Sequence, residues 1–207
     1  MNANNVPLNA EEQRNARYQG PFKWFIVSIA EVYKETLLRL GLLSRRDLIR
    51  MADLRLYAEI ALTLDAGFQT VKGEQLDRLY RKYNVSFEAD EGFRERISYG
   101  LNFFIEHEEL HQDAFLRMHV FQSIVLAIIA RRFGGDFDQQ ATESHPEIAE
   151  KIAQTPFAMD ALLASLREPD AFPQLNEFVQ ASTEATNTAS SRVIRFLHFR
   201  AALNEIA

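Results

Sequence analysis

From Val120 to Ala130 the chain reads VFQSIVLAIIA, a run in which only Gln122 and Ser123 interrupt apolar side chains. A helix that is apolar all round has no face to offer water, so other elements must enclose it. The run is about half the ~20 apolar residues that cross a bilayer, and polar or charged residues flank it, so no membrane partner is expected. It predicts instead the central buried helix of a bundle, over about 113–133, ended by the Gly134-Gly135 pair.

The rest of the chain supplies helices to cover it. No sustained alternation of β-branched residues occurs, and no Asn-Gly or Asp-Gly pair marks a hairpin. Asn9 and Glu12 have the spacing of a capping box. Pro21 can open a helix at its first position, with Phe22, Phe25, Ile26, Ile29, Val32 and Tyr33 at helical spacing and Gly41 as its stop. Ser44 and Asp47 predict one continuous helix to Gly67, with Leu48, Met51, Leu54, Tyr57, Ala58 and Ala61 facing inward. A short amphipathic helix is expected over 73–83. Ser86 is expected to cap a long helix presenting Phe93, Ile97, Leu101, Phe104 and Ile105. The polar stretch from Asp136 to Pro146 predicts a linker. Helices near 147–154, 158–167 and 172–181 should follow, and, after ASTEATNTASS, a last one over about 192–206.

The expected fold class is therefore all-α, an irregular multi-helix bundle. It divides into an N-terminal segment (1–20), a main bundle (21–135) and a C-terminal helical extension packed on it (136–207). With 207 residues, 47% of them hydrophobic, such a chain can bury a core without staples. Cysteine is absent, which excludes disulfides, thiolate nucleophiles and Cys-ligated zinc, and fits a reducing cytoplasm. Residues 1–20 are polar and lack the apolar centre of a signal peptide. A net charge of −6 gives no global basic field toward DNA. Arg45-Arg46, Arg131-Arg132, and Arg192 with Arg195 and Arg200 read as solvated helix faces or ends. His119 and His198 read as core or boundary histidines satisfied by a hydrogen bond.

One stretch carries a chemical pattern. His107-Glu108-Glu109-Leu110-His111 fits H-E-x-x-H, in which two imidazoles one helical turn apart share zinc and the glutamate polarises its water. The context argues against it. The elongated motif would place histidine at position 117, where Arg117 stands, and neither Glu143 nor Glu147 sits in a recognisable third-ligand motif. No sheet edge is available to hold a peptide. Glu108-x-x-His111 also fits a di-iron motif, but that site needs two copies. The expectation is a solvated turn or helix end that holds no metal, with His107, Glu108 and His111 the zinc-hydrolase alternative. No Gly-rich phosphate loop or Gly-x-Ser-x-Gly elbow occurs, so no cofactor and no catalytic residue are expected.

Residues 2–16, NANNVPLNAEEQRNA, carry a different signal. They resemble the run I-N-T-G-G-V-P-L-N-P-Q-E-L-R-N-A that ends the ParB/sulfiredoxin-like NTPase domain of GmrSD-type modification-dependent restriction and phage-defence proteins. Asn2, Val6, Pro7, Leu8, Asn9, Glu12, Arg14, Asn15 and Ala16 match. Asn4 and Asn5 replace two glycines, Ala10 a proline and Gln13 an apolar residue. The run from Phe115 to Phe121 is similar in pattern to the helical half that follows this segment in the family. The resemblance implies that residues 1–20 are the remnant of an NTPase domain's end. It also implies that the chain lacks the family's Asp-Gly-Gln-Gln-Arg type motif and its His-Asn-His nuclease, whose Asp-His pair is absent. The expected role is then a non-catalytic helical portion of a truncated or internally started protein, acting in domain packing, nucleic-acid positioning or binding of an NTPase domain or partner subunit. On the residues alone, Asn9 is a helix cap, Leu8 its hydrophobic staple, and Arg14 and Asn15 lie on the helix's polar side. A DNA-binding or scaffolding bundle using the arginine clusters is the third expectation.

Overall fold

A computed structural model describes residues 7–111 and 116–203. Among the described residues every regular element is helical and no strand occurs. The helices are α1 (Ala10–Arg17), α2 (Pro21–Arg39), α3 (Arg45–Ile49), α4 (Ala52–Ala66), α5 (Gly73–Lys82), α6 (Asp90–Glu106) and α7 (Met118–Phe133). They continue with α8 (Asp136–Ser144), α9 (Pro146–Gln154), α10 (Met159–Ser165), α11 (Asn176–Thr183) and α12 (Ala189–Ala202). Short 3-10 turns at Glu108–Leu110, Pro169–Ala171 and Pro173–Leu175 link some of them.

The apolar run organises the packing as its composition requires. Every residue from Val120 to Ala130 is buried. α7 packs most extensively on α12 and α6, and also touches α4. Each such Val, Leu, Ile or Phe contributes roughly 1.5–3 kcal/mol on burial. Gly100 on α6 permits the close approach: a Cβ there would lie 2.9 Å from Ile129 Cγ1 and 3.0 Å from Val125 Cγ1. Around α2 the core is aromatic. The Phe22 ring meets Tyr80 at 5.0 Å and Phe87 at 5.2 Å, both edge to face. None of the described helices is long and apolar enough to cross a membrane.

Local signals place most helix ends where the sequence indicates. Asn9 caps α1 with its capping box, Pro21 opens α2, and Gly134 in a left-handed conformation (φ 62°) closes α7. Differences arise where distant residues intervene. The single helix expected from Ser44 to Gly67 breaks at Met51, whose φ of 56° and ψ of 30° are left-handed. The Arg50 carbonyl beside the break accepts a hydrogen bond from Asn9 Nδ2 at 3.2 Å, so the cap of α1 occupies a group that a continuous helix would use. Ser86 does not cap α6, which starts at Asp90, because Phe87 turns inward onto Phe22 and Phe25. The stretch from Asp136, expected as a linker, is helix α8. Phe137 and Ala141 lie one turn apart on its buried face, with Phe137 against Phe68 and Phe196. Val32 faces solvent, not the core. α7 begins at Met118 within the described residues; the expected earlier start at Asp113 lies outside them. α12 starts at Ala189, since Thr188 accepts a hydrogen bond from the Ser191 N–H.

Candidate functional site

Pro7 and Leu8 lead into α1, with Leu8 exposed. Asn9 Oδ1 accepts from the Glu11 N–H at 2.8 Å and the Glu12 N–H at 3.0 Å, while Glu12 Oε2 accepts from the Asn9 N–H at 2.6 Å. Arg14 departs from the expected polar side: it is 3% exposed. Its Nε donates to Asp77 Oδ1 at 2.7 Å, its second terminal nitrogen to the Gly73 carbonyl at 3.2 Å, and its first to Glu11. Burial opposes its charge, but Glu11 and Asp77 together hold it above the ordinary arginine value. Asn15 is half-buried, and its Oδ1 is buried without a hydrogen-bond partner. Ala16 is exposed, and Asn2 and Val6 lie outside the described residues.

Asn15 lines a groove of about 310 Å³ together with the apolar Trp24, Leu48 and Leu54 and the charged Lys23, Glu31 and Asp53. Trp24, the chain's single tryptophan, is 55% exposed there. Phe22 and Phe25, its neighbours on α2, are buried.

From Glu11 a chain of alternating charges runs into the core. Arg55 approaches Glu11 at 3.9 Å and donates through Nε to Glu59 Oε1 at 2.7 Å. Glu59 Oε2 takes Arg192 at 3.4 Å, and Arg192 also donates to Thr63 Oγ1 at 2.7 Å. One helical turn on, Arg195 has no exposed surface. It donates to Ser123 Oγ at 3.1 Å, to the Thr186 carbonyl at 2.9 Å and to the Ala181 carbonyl. Burial, then the charge of Arg192, lowers its pKa to about 9. Arg192 and Arg195 are thus core residues and not the solvated face their sequence suggests. Arg200 is half-buried and pairs with Asp138. Arg45-Arg46 and Arg131-Arg132 are solvated, as expected.

Beside this chain lies a cavity of about 240 Å³. Arg55, Leu56 and Glu59 of α4, Met118, His119 and Gln122 of α7, and Asn187 ahead of α12 line it. His119 is satisfied: its Nε2 donates to the Ser182 carbonyl at 2.8 Å, and burial lowers its pKa. Gln122 is 3% exposed, and its Nε2 has no partner. His198 breaks the expectation for a core histidine, because its buried Nδ1 has no partner either. Burial, then Lys151, depresses its pKa to about 4.

The HEELH stretch is a helix end followed by a 3-10 turn. α6 stops at Glu106, His107 caps it, and Glu108–Leu110 turn before His111. The two imidazoles are therefore not stacked on one helical face. His107 Nδ1 donates to the Phe103 carbonyl at 2.8 Å while its ring stacks on Phe103 at 3.8 Å. His111 Nε2 donates to the Ile105 carbonyl at 3.3 Å. Among the described residues no group of three or more His, Asp or Glu side chains is placed to hold a metal ion.

Sequence reasoning missed Arg55, Glu59 and Gln122. The signal available was an Arg-x-x-x-Glu pair inside the otherwise apolar LRLYAEIALTL, and an amide inside the apolar run of α7. No family model, curated protein or solved structure matches the chain.

Proposed function

We propose that this chain is the helical, non-catalytic portion of a GmrSD-like defence or restriction protein of the cytoplasm. Its role is to seat a partner, the ParB/sulfiredoxin-like NTPase domain, in the groove beside α1. The observation that carries this reading is Asn15. This residue of the family-like segment has a buried oxygen without a partner, and it lines an open groove of mixed apolar and charged side chains whose edge is a half-exposed tryptophan. Tryptophan is enriched at interface centres because it removes large area from water and keeps a polar handle. Arg14 supports the same reading. Tied to Glu11, Asp77 and Gly73, it anchors the segment to α5, so an incoming domain meets a rigid surface. Nucleic-acid positioning is the weaker branch, because Arg192 and Arg195 are buried beyond reach of phosphates.

The test is co-elution on a sizing column of the purified chain with a separately expressed NTPase domain of this type. The expected result is a complex that Trp24→Ser abolishes. Independent elution, or nucleotide hydrolysis by the helical chain alone, would refute the reading.

A further inference from the structure

We propose that the cavity between α4 and α7 is a binding site for a small hydroxylated molecule carrying one oxyanion group, a carboxylate or a phosphate. Three observations converge on it. The first is Gln122. It lines the cavity, and its Nε2 is buried with no acceptor. A buried donor without a partner is costly, and a site that leaves one unpaired in the free chain is set to receive an acceptor from outside. The second is charge. Both oxygens of Glu59 are engaged, Oε1 by Arg55 and Oε2 by Arg192, and Arg55 also approaches Glu11 at 3.9 Å, so Arg55, Arg192 and Arg195 have two carboxylates among them. Arg195 stands behind Ser123, and its partners among the described residues are neutral oxygens. The cavity wall therefore carries a positive excess that an oxyanion would offset, with the side-chain fork of Arg55 as the natural bidentate donor.

The third is the tautomer of His119. Because Nε2 must carry the proton it donates to the Ser182 carbonyl, the neutral ring keeps Nδ1 as an acceptor. An acceptor beside anion donors fits a ligand with a hydroxyl near its acidic group. Asn187 at the exposed rim supplies a further amide. The volume, about 240 Å³, lies below the ~300–1,000 Å³ of drug-sized sites and limits the ligand to a small metabolite.

The test uses the full chain in calorimetry and thermal denaturation with inorganic phosphate, glycerol 3-phosphate and lactate, each against sodium chloride at matched ionic strength. Saturable binding by at least one probe above the chloride control is expected, and the phosphate and carboxylate arms identify the headgroup. Gln122→Met, close to isosteric, should weaken that binding about tenfold or more, since a hydrogen bond to a charged group is lost. The same variant should leave the free chain as stable as before or more so, because the orphaned donor is gone. Asn187→Ala, at the exposed rim, should weaken binding without unfolding the chain. No saturable binding by any probe, or wild-type affinity in both variants, would overturn the proposal.

Discussion

Replacing Glu59 by glutamine keeps the volume of the side chain and removes its charge. Glu59 joins Arg55, whose side chain is 37% exposed, to Arg192, whose side chain is 3% exposed. The two halves therefore weigh differently. Arg55 can turn to water when its partner is lost, and that half contributes about 1 kcal/mol at most. Arg192 cannot. Stripped of its counter-charge it leaves a buried cation, a change that costs about 3–5 kcal/mol when a buried pair is broken. The Arg192 contact to Glu59 is long, 3.4 Å, and Thr63 remains as a partner, so the low end applies. The expected loss is about 3–4 kcal/mol out of the ~5–15 kcal/mol typical of a domain. At ~2–4 °C per kcal/mol for a chain of this size, the melting temperature should fall by roughly 6–16 °C. Urea unfolding gives the free energy directly, with an unchanged slope showing that the denatured state is the same. Adding Arg192→Met to Glu59→Gln should recover part of the loss, because the stranded cation is then gone. A Glu59→Gln chain within about 1 kcal/mol of wild type, or strict additivity of the two substitutions, would refute this reasoning.

Other consequences follow from the same contacts. Gly20 precedes α2 with ordinary dihedrals, but a Cβ there would sit 2.0 Å from the Asn84 carbonyl oxygen, so Gly20→Ala should cost about 2 kcal/mol or more in urea unfolding. His198 has its pKa lowered from 6.5 to about 4, so below pH 6.5 the unfolded chain takes up a proton that the folded chain refuses. The stability His198 contributes is therefore complete above that pH and lost as pH falls toward about 4, by an amount of order 3 kcal/mol, and His198→Phe should flatten the pH dependence of unfolding across that window. Zinc content measured by elemental analysis should be the same in the wild type and in His111→Ala, and stoichiometric zinc lost in the variant would restore the hydrolase alternative.

What the sequence made legible was local. The Asn9–Glu12 capping box joins residues three apart, Pro21 needs no partner to start a helix, and the run from Val120 to Ala130 demands burial whatever surrounds it. What it hid was tertiary. Met51 occupies a helical apolar position, and the turn there is coupled to a side chain from α1. Phe137 sits in a polar stretch, and its helix is buried on Phe68 and Phe196, aromatic residues far along the chain. Arg192 and Arg195 follow one another as surface arginines would. The carboxylate that meets Arg192 lies 133 positions away, and the oxygens that hold Arg195 include two main-chain carbonyls with no sequence signature. Of the candidate site, Asn9 and Arg14 were found through a family-like segment, and the burial of Arg14 was not, because Asp77 and Gly73 complete its partners from another helix.

The seating of an NTPase domain beside α1 is tested most directly by the fluorescence of Trp24, which no other tryptophan obscures. Titration with the separately expressed domain should shift its emission to the blue as the ring leaves water, saturating with the complex. An emission spectrum unchanged at saturating domain concentration would contradict the proposal.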